Sequence, residues 1–230
     1  MADVVIITGG TKGLGRASVQ KWLAEGWSVA TCARDEVDIA KLEAEVNTPN
    51  LLSQVVDIAD EVAVRGFVKR ILERWKKVDV LINNASILGP RETIENYSEE
   101  TWRKVMDVNV NGTFYFVKKV LPSMLEQKQG VIVNVSSGAG VKGSKRWGAY
   151  AASKFAVEGL SQVLRSEVID SGVRVYAFDP GAMQTEMRAS AYPSEDPKQH
   201  PTPETIANIL FDIATVYEPQ LGRLTVKEYL

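Results

Sequence analysis

The stretch Val4-Val5-Ile6-Ile7-Thr8-Gly9-Gly10-Thr11-Lys12-Gly13-Leu14-Gly15-Arg16 decides the fold of this chain. It opens with an apolar, β-branched run suited to a buried strand, turns through a cluster of glycines, and passes at once into the helix-forming segment Leu14–Glu25. Glycines at 9, 13 and 15 allow a tight turn and a close approach of backbone to a bulky anion. The helix behind them offers free N–H groups and the positive end of its dipole. A pyrophosphate suits this arrangement, and strand, glycine turn and helix together open a dinucleotide-binding βαβ unit. A P-loop ATPase needs Ser or Thr after its lysine; here Gly13 follows Lys12, which excludes that alternative.

Outward from the turn, short apolar runs keep alternating with longer amphipathic ones. Strands are predicted at Val4–Ile7, Ser28–Cys32, Leu51–Val56, Val78–Ile82, Val131–Val135, Arg174–Phe178 and Leu221–Val226. Helices are predicted at Leu14–Glu25, Asp35–Val46, Glu61–Trp75, Glu99–Glu126, Ala149–Ile169 and Glu204–Val216. Ser98 can cap the helix that begins with Glu99 and Glu100, and Thr202 the one that begins with Pro203. Strands that are apolar throughout need helices on both faces, and regular alternation implies right-handed crossovers. The expected fold is α/β: one doubly wound Rossmann-type domain over residues 1–230, its seven-stranded, mainly parallel sheet flanked by helices. Only Ala189–Pro203, with Pro193, Pro197, Pro201 and Pro203 among polar residues, breaks the pattern. This segment, 189–203, is read as a substrate lid or surface loop, because too little chain follows it for a second domain.

Composition removes several function classes. The 230 residues are 45% hydrophobic and 24% charged with a net charge of −2, ordinary for a globular domain and unsuited to holding a polyanion, so no nucleic-acid partner is expected. The start carries Asp3 and a short apolar run, unlike a signal peptide, and no apolar stretch approaches a bilayer span. A cytoplasmic protein without a membrane partner is expected. Cys32 is the only cysteine, which excludes an internal disulfide, and no paired Cys/His spacing supports a metal. With no secretory signal, the sequon matches at Asn84, Asn96, Asn111 and Asn134 are read as chance.

The chemistry gathers in the second half. Tyr150 and Lys154 lie one turn apart on one face of a predicted helix, so the ammonium can stabilise a phenolate that otherwise forms only near pH ~10. Ser137 lies just beyond the fifth strand, where open α/β sheets place ligand groups, and its hydroxyl can hold a substrate carbonyl oxygen. A Tyr-x-x-x-Lys pair alone is a common helix feature; beside Ser137 and the glycine turn it reads as a proton-transfer site. A Ser-His-Asp hydrolase is unsupported, because the single histidine, His200, sits in the Pro-rich segment and no GxSxG turn exists. Trp22, Trp27, Trp75, Trp102 and Trp147 are read as packing residues, with Trp147 able to edge the Tyr150 pocket.

Taken in order, these motifs resemble the short-chain dehydrogenase/reductase (SDR) family: Thr8–Gly15 as its TGxxxGxG turn, Asp57, Asn83-Asn84-Ala85, Asn109, Ser137, Tyr150 to Lys154, and Pro180-Gly181. The likeness spans roughly residues 3 to 226. It implies an oxidoreductase that moves a hydride between a nicotinamide and a carbonyl or alcohol carbon of a small molecule, in the manner of a carbonyl reductase. It also implies roles: Tyr150 as general acid/base, Ser137 steadying the substrate oxygen, Lys154 holding the ribose and tuning Tyr150, and Asn109 continuing a proton relay. By the same likeness, the cofactor is contacted by Gly9, Thr11, Lys12, Gly13, Leu14, Gly15, Arg34, Asp57, Ile58, Asn84, Ala85, Tyr150, Lys154, Pro180, Gly181, Met183 and Thr185.

NADP(H) is the expected cofactor. NAD enzymes place an acid where the second strand ends, whereas this chain reads Thr31-Cys32-Ala33-Arg34, and resembling NADP enzymes aim a cation like Lys12 at the same 2′-phosphate. Asp35 comes one position late and is expected to open the next helix. Ser86 stands where the family commonly has glycine, a small change. After the last predicted strand only Lys227–Leu230 follow, so a homodimer built on Glu99–Glu126 and Ala149–Ile169 is expected, with a homotetramer as the other arrangement. Two rival functions remain: a non-catalytic NADP-sensing regulator, which tends to lose the tyrosine or lysine kept here, and an epimerase or dehydratase, which usually carries a further C-terminal substrate domain.

Overall fold

The computed structural model describes residues 2–217 and 222–230. Seven strands, β1 (Val4–Thr8), β2 (Ser28–Ala33), β3 (Leu51–Val55), β4 (Val80–Asn83), β5 (Gly130–Val135), β6 (Val173–Asp179) and β7 (Arg223–Thr225), form one sheet in the order β3-β2-β1-β4-β5-β6-β7. Every neighbouring pair is parallel, for instance Val5 opposite Val29 on one side and Val80 on the other. The connecting helices are α1 (Gly13–Ala24), α2 (Glu36–Val46), α3 (Glu61–Trp75), α4 (Glu99–Met106), α5 (Gly112–Gln127), α6 (Gly148–Glu167), α7 (Glu186–Ala191) and α8 (Pro203–Thr215).

Two layers of core explain why the strands are apolar on both faces. Val5 and Ile7 of β1 pack with Trp22 of α1 and with Ile206, Leu210 and Phe211 of α8. Val4 and Ile6 point the other way, into Phe67 and Ile71 of α3 and Phe116 and Val120 of α5. Trp22, Phe67 and Phe116 are fully buried, each removing on the order of 2–3 kcal/mol of apolar surface from water. Helix ends follow their caps. Asp35 Oδ1 accepts the Asp38 N–H at 2.9 Å to start α2, and Ser98 and Thr202 cap α4 and α8.

Several boundaries differ from expectation. The single helix expected over Glu99–Glu126 is interrupted by a wider, π-type turn at Asp107–Asn111, which hydropathy does not report because the turn keeps the same apolar face. The fourth strand begins at Val80, since Val78 is buried but unpaired; apolarity marks burial and not where a ladder starts. The seventh strand is short, Arg223–Thr225, and Leu221, where it was expected to begin, lies outside the described residues. The expected loop 189–203 starts inside α7, whose six residues are too few and too small to show a period, and includes a 3₁₀ turn at Pro197–Gln199.

β1 has β2 on one side and β4 on the other, so the direction of winding reverses beside it, and a crevice opens there at the C-terminal strand ends. Both the glycine turn and Tyr150 border that crevice. Among the described residues no helix is long and apolar enough to cross a membrane.

Candidate active site

The turn after β1 is held from below. Thr8 Oγ1 accepts the backbone N–H groups of Asn84 and Ala85, each at 3.0 Å, and Asn84 Nδ2 donates to the carbonyls of Thr8 (2.9 Å) and Gly9 (3.4 Å). Gly9 and Gly13 have φ of +71° and +51°, and a Cβ on Gly15 would sit 2.1 Å from the Gly9 carbonyl oxygen. No other residue can close this turn without moving it. The result is a cleft of about 1340 Å³ running from Arg34, Asp38 and Lys41 past the start of α1 to Tyr150, Met183 and Met187. Its shape and its exposed helix N-terminus fit an elongated phosphate-bearing cofactor such as a dinucleotide.

The structure brings most of the expected site residues together. Gly9, Thr11, Lys12, Gly13, Leu14, Arg34, Ile58, Asn84, Ala85, Tyr150, Lys154, Met183 and Thr185 all line the cleft. Gly15 lies beneath the turn as a spacer, and Asp57 faces a neighbouring hollow shared with Arg34 and Lys104. Ser137 acts on Tyr150 directly, whereas Pro180, Gly181 and Asn109 stand behind the residues that line the cleft.

Tyr150 and Lys154 sit on α6, both nearly buried. Burial pushes the Tyr150 phenol up to about 12, opposed by a hydrogen bond from Ser137 and reinforced by Asp179. Burial also lowers Lys154 to about 8, against the pull of Asp179 and then Glu158 toward the charged form. The expected depression of the phenol by its lysine is therefore not present in this structure. Lys154 Nζ donates instead to the Val135 carbonyl at 2.8 Å and lies 5.6 Å from the centre of the Tyr150 ring, so desolvation of the phenolate dominates. Ser137 is held at the end of β5, its Oγ also accepting the Ala139 N–H at 3.2 Å.

Asn109 lies in the π-type turn, and its carboxamide both accepts the Ile87 N–H at 2.8 Å and donates to the Ile87 carbonyl at 2.9 Å. Its Nδ2 also donates to Ser153 Oγ at 2.9 Å. Asn109 thus ties the loop after β4, a wall of the cleft, to the helix that carries Tyr150 and Lys154.

At the far end, Lys12 Nζ pairs with Asp38 Oδ2 at 2.9 Å, and Asp38 first among the causes holds the ammonium above its ordinary range. Arg34 is exposed beside it. On the substrate side, Trp147 packs edge-on against Tyr150 with ring centres 5.6 Å apart. The Arg91 guanidinium lies between Trp147 and Tyr192, 5.2 and 5.0 Å from their ring centres, and donates to the Ala191 carbonyl at 2.6 Å. These contacts fasten α7 to the loop after β4. His200 stands 3.1 Å from Glu195, which also takes two hydrogen bonds from Arg188. Cys32 is a fully buried core thiol that burial pushes up to about 12, well away from nucleophile chemistry. The sequon asparagine Asn134 is fully buried, its carboxamide bonded to Asn83 and Ser161.

Sequence reasoning missed Asp38, Arg91, Asp179, Glu158 and Arg223. Only Glu158 carried a local signal, an acid one turn beyond Lys154 on the same face of α6; the others reach the site through tertiary contacts.

Comparison with known proteins agrees with this geometry. The chain matches the family described as short chain dehydrogenase over residues 3–196. It is 34% identical over 208 residues to the oxidoreductase YciK of Escherichia coli strain K12, covering 88% of this chain and 82% of that one. It is 36% identical over 192 residues to the NADPH-dependent pterin aldehyde reductase of Arabidopsis thaliana, covering 83% and 79%. Among solved structures, a short chain dehydrogenase from Shigella flexneri 2a complexed with NADP superposes with a TM-score of 0.89 at 30% identity, covering 97% of this chain and 95% of that one.

Proposed function

Because this chain belongs to the short-chain dehydrogenase family, we propose that it is an NADP(H)-dependent oxidoreductase that reduces a ketone or aldehyde to an alcohol, or runs the reverse. One observation carries the reading: a buried phenol opens on the same cleft as the glycine turn, with a buried lysine one helical turn away and Ser137 near enough to ease its ionisation. Relatives whose names include NADPH or NADP support the choice of cofactor.

When bound, the cofactor supplies the hydride. The start of α1 and the glycine turn would hold its pyrophosphate, Lys12 and Arg34 its 2′-phosphate, and Lys154 its nicotinamide-side ribose. Ser137 Oγ and Tyr150 Oη hold the substrate carbonyl oxygen, and Tyr150 passes its proton to that oxygen as charge develops there. A phenol raised to about 12 stays protonated at neutral pH, as a general acid for reduction requires. Lys154 keeps a positive charge beside the reacting oxygen and must be an ammonium to do so. Asn109 fixes the cleft wall through Ile87 and holds α6 through Ser153. Oxidation of an alcohol uses the same groups in reverse.

A homodimer is also part of this reading. Phe114 on α5 and Phe155 and Val163 on α6 are 41%, 47% and 57% exposed, an apolar face on the two helices expected to pair. The enzyme reading is tested by following NADPH consumption against a panel of ketones and aldehydes; a sensor would bind NADPH and consume none.

A further inference from the structure

Behind Lys154 lies a set of charges that the proton transfer above does not use. Glu158 is four positions beyond Lys154 on α6 and only 4% exposed. Its Oε1 accepts a hydrogen bond from Ser136 Oγ at 2.5 Å and another from Arg223 Nε at 3.1 Å. The other edge of the same guanidinium donates from Nη2 to Asp179 Oδ2 at 3.1 Å. Asp179 Oδ1 accepts the Gly181 N–H at 3.0 Å. One arginine from β7 therefore joins the segment that carries Ser137, the helix that carries Tyr150 and Lys154, and the Pro180-Gly181 turn.

The packing leaves this cluster little room. A Cβ on Gly140 would meet Ser136 Oγ at 2.8 Å, the Lys154 carbonyl oxygen at 3.0 Å and Glu158 Cγ at 3.1 Å. Glu158 is buried and Asp179 and Arg223 are half-buried, so an uncompensated charge here is only partly relieved by water and is costly. Two carboxylates and one guanidinium leave one negative charge, and a protonated Lys154 neutralises it. Tyr150 on α6 is the other titratable group beside Lys154; the facing residues from β5, Val135 to Ser137, carry no charge.

We propose that Arg223, Glu158 and Asp179 form a positioning network that aligns the Ser137 and Pro180-Gly181 segments around Lys154 and sets the charge Lys154 carries during the reaction. None of the three touches the substrate. Each acts through Lys154, and the two signs act in opposition: the carboxylates favour its ammonium and the guanidinium disfavours it. The proposal rests on the reading of Lys154 as the group that must be protonated for cofactor binding and turnover.

Opposite signs give the test. In Glu158→Gln the cluster loses a negative charge, so the alkaline limb of kcat/KM and of NADP+ affinity moves to lower pH, by about one unit. Arg223→Met leaves two carboxylates against Lys154, and the limb moves to higher pH by a similar amount. The double variant restores the net charge, returns the limb close to the wild-type position, and removes both partners of a half-buried pair together, which makes it the comparison to use where a single variant does not fold. Arg223→Lys keeps the cation and leaves the limb in place. Calorimetric titration with NADP+ across pH reads the effect without relying on turnover. Shifts in the same direction, or activity lost equally at every pH with the limb unmoved, would overturn the proposal. A wild-type protein that binds NADP+ and reduces no carbonyl overturns the enzyme reading instead, while the affinity profile still reports Lys154.

Discussion

Removing the two cations at the adenosine end is the perturbation whose size can be worked from the structure. An NADP 2′-phosphate beside Arg34 and Lys12 gains charge-assisted contacts worth about 1.5–3 kcal/mol each in general. Lys12 does not stand free, however: it is paired with Asp38 at 2.9 Å, with the lysine side chain 59% exposed. An exposed pair of this kind is worth about 0–1 kcal/mol, and that amount is lost when Lys12 turns to the phosphate. Arg34 is exposed and makes no ion pair among the described residues, so its contribution is discounted only for solvent screening. Together the two cations supply about 3 kcal/mol, a preference for NADP+ over NAD+ on the order of 10²-fold. Lys12→Ser with Arg34→Asp should abolish that preference and leave NAD+ binding unchanged or improved. Asp38→Asn should tighten NADP+ by up to about 5-fold without touching NAD+, because it frees Lys12. Calorimetric titration with both cofactors provides the constants. Equal affinity for the two cofactors in the wild type, or a preference that survives in the double variant, would refute the assignment.

Three further outcomes follow from the geometry. Lys154 must be an ammonium and is lowered to about 8, so kcat/KM for reduction should hold through neutral pH and fall as pH rises through about 8; a profile flat to pH ~10 would contradict this role. We expect the 189–203 segment to act as a lid, with hydrogen exchange there slowing when NADPH and substrate are bound; cutting the Arg91 tie to Ala191 with Arg91→Leu should speed exchange and raise KM more than it lowers kcat. Charged substitutions at Phe155 and Val163 on α6 should convert a dimer into a monomer in light-scattering measurements, and an already monomeric wild type would dismiss that interface.

Most residues that act through their own strand or helix were legible in the sequence, Glu158 on α6 being the exception. The glycine turn, the Tyr150–Lys154 spacing and the Asp35 cap are local: each is fixed by a neighbour within a few positions, and the turn, the one-turn separation and the cap all stand in the structure, although the pull of the lysine on the phenol does not. Most strand positions were legible too, because a strand covered on both faces is apolar throughout. What stayed hidden depends on contacts between distant segments. The break at Asp107–Asn111 leaves hydropathy unchanged yet lets Asn109 reach Ile87. Arg223 meets Glu158 across 65 positions and Asp179 across 44, and no periodicity announces such a pair. The elevated Tyr150 phenol was equally invisible, since spacing places a cation nearby but does not report how deeply the ring is buried.

Tyr150→Phe tests the central claim most directly, because it keeps the ring packed against Trp147 and removes only the hydroxyl that carries the transferable proton. Single-turnover and steady-state reduction of an accepted carbonyl substrate should slow by about 10²–10⁴-fold, the range typical of a lost general acid, while NADP+ affinity changes little. Turnover near the wild-type rate in that variant would contradict the account.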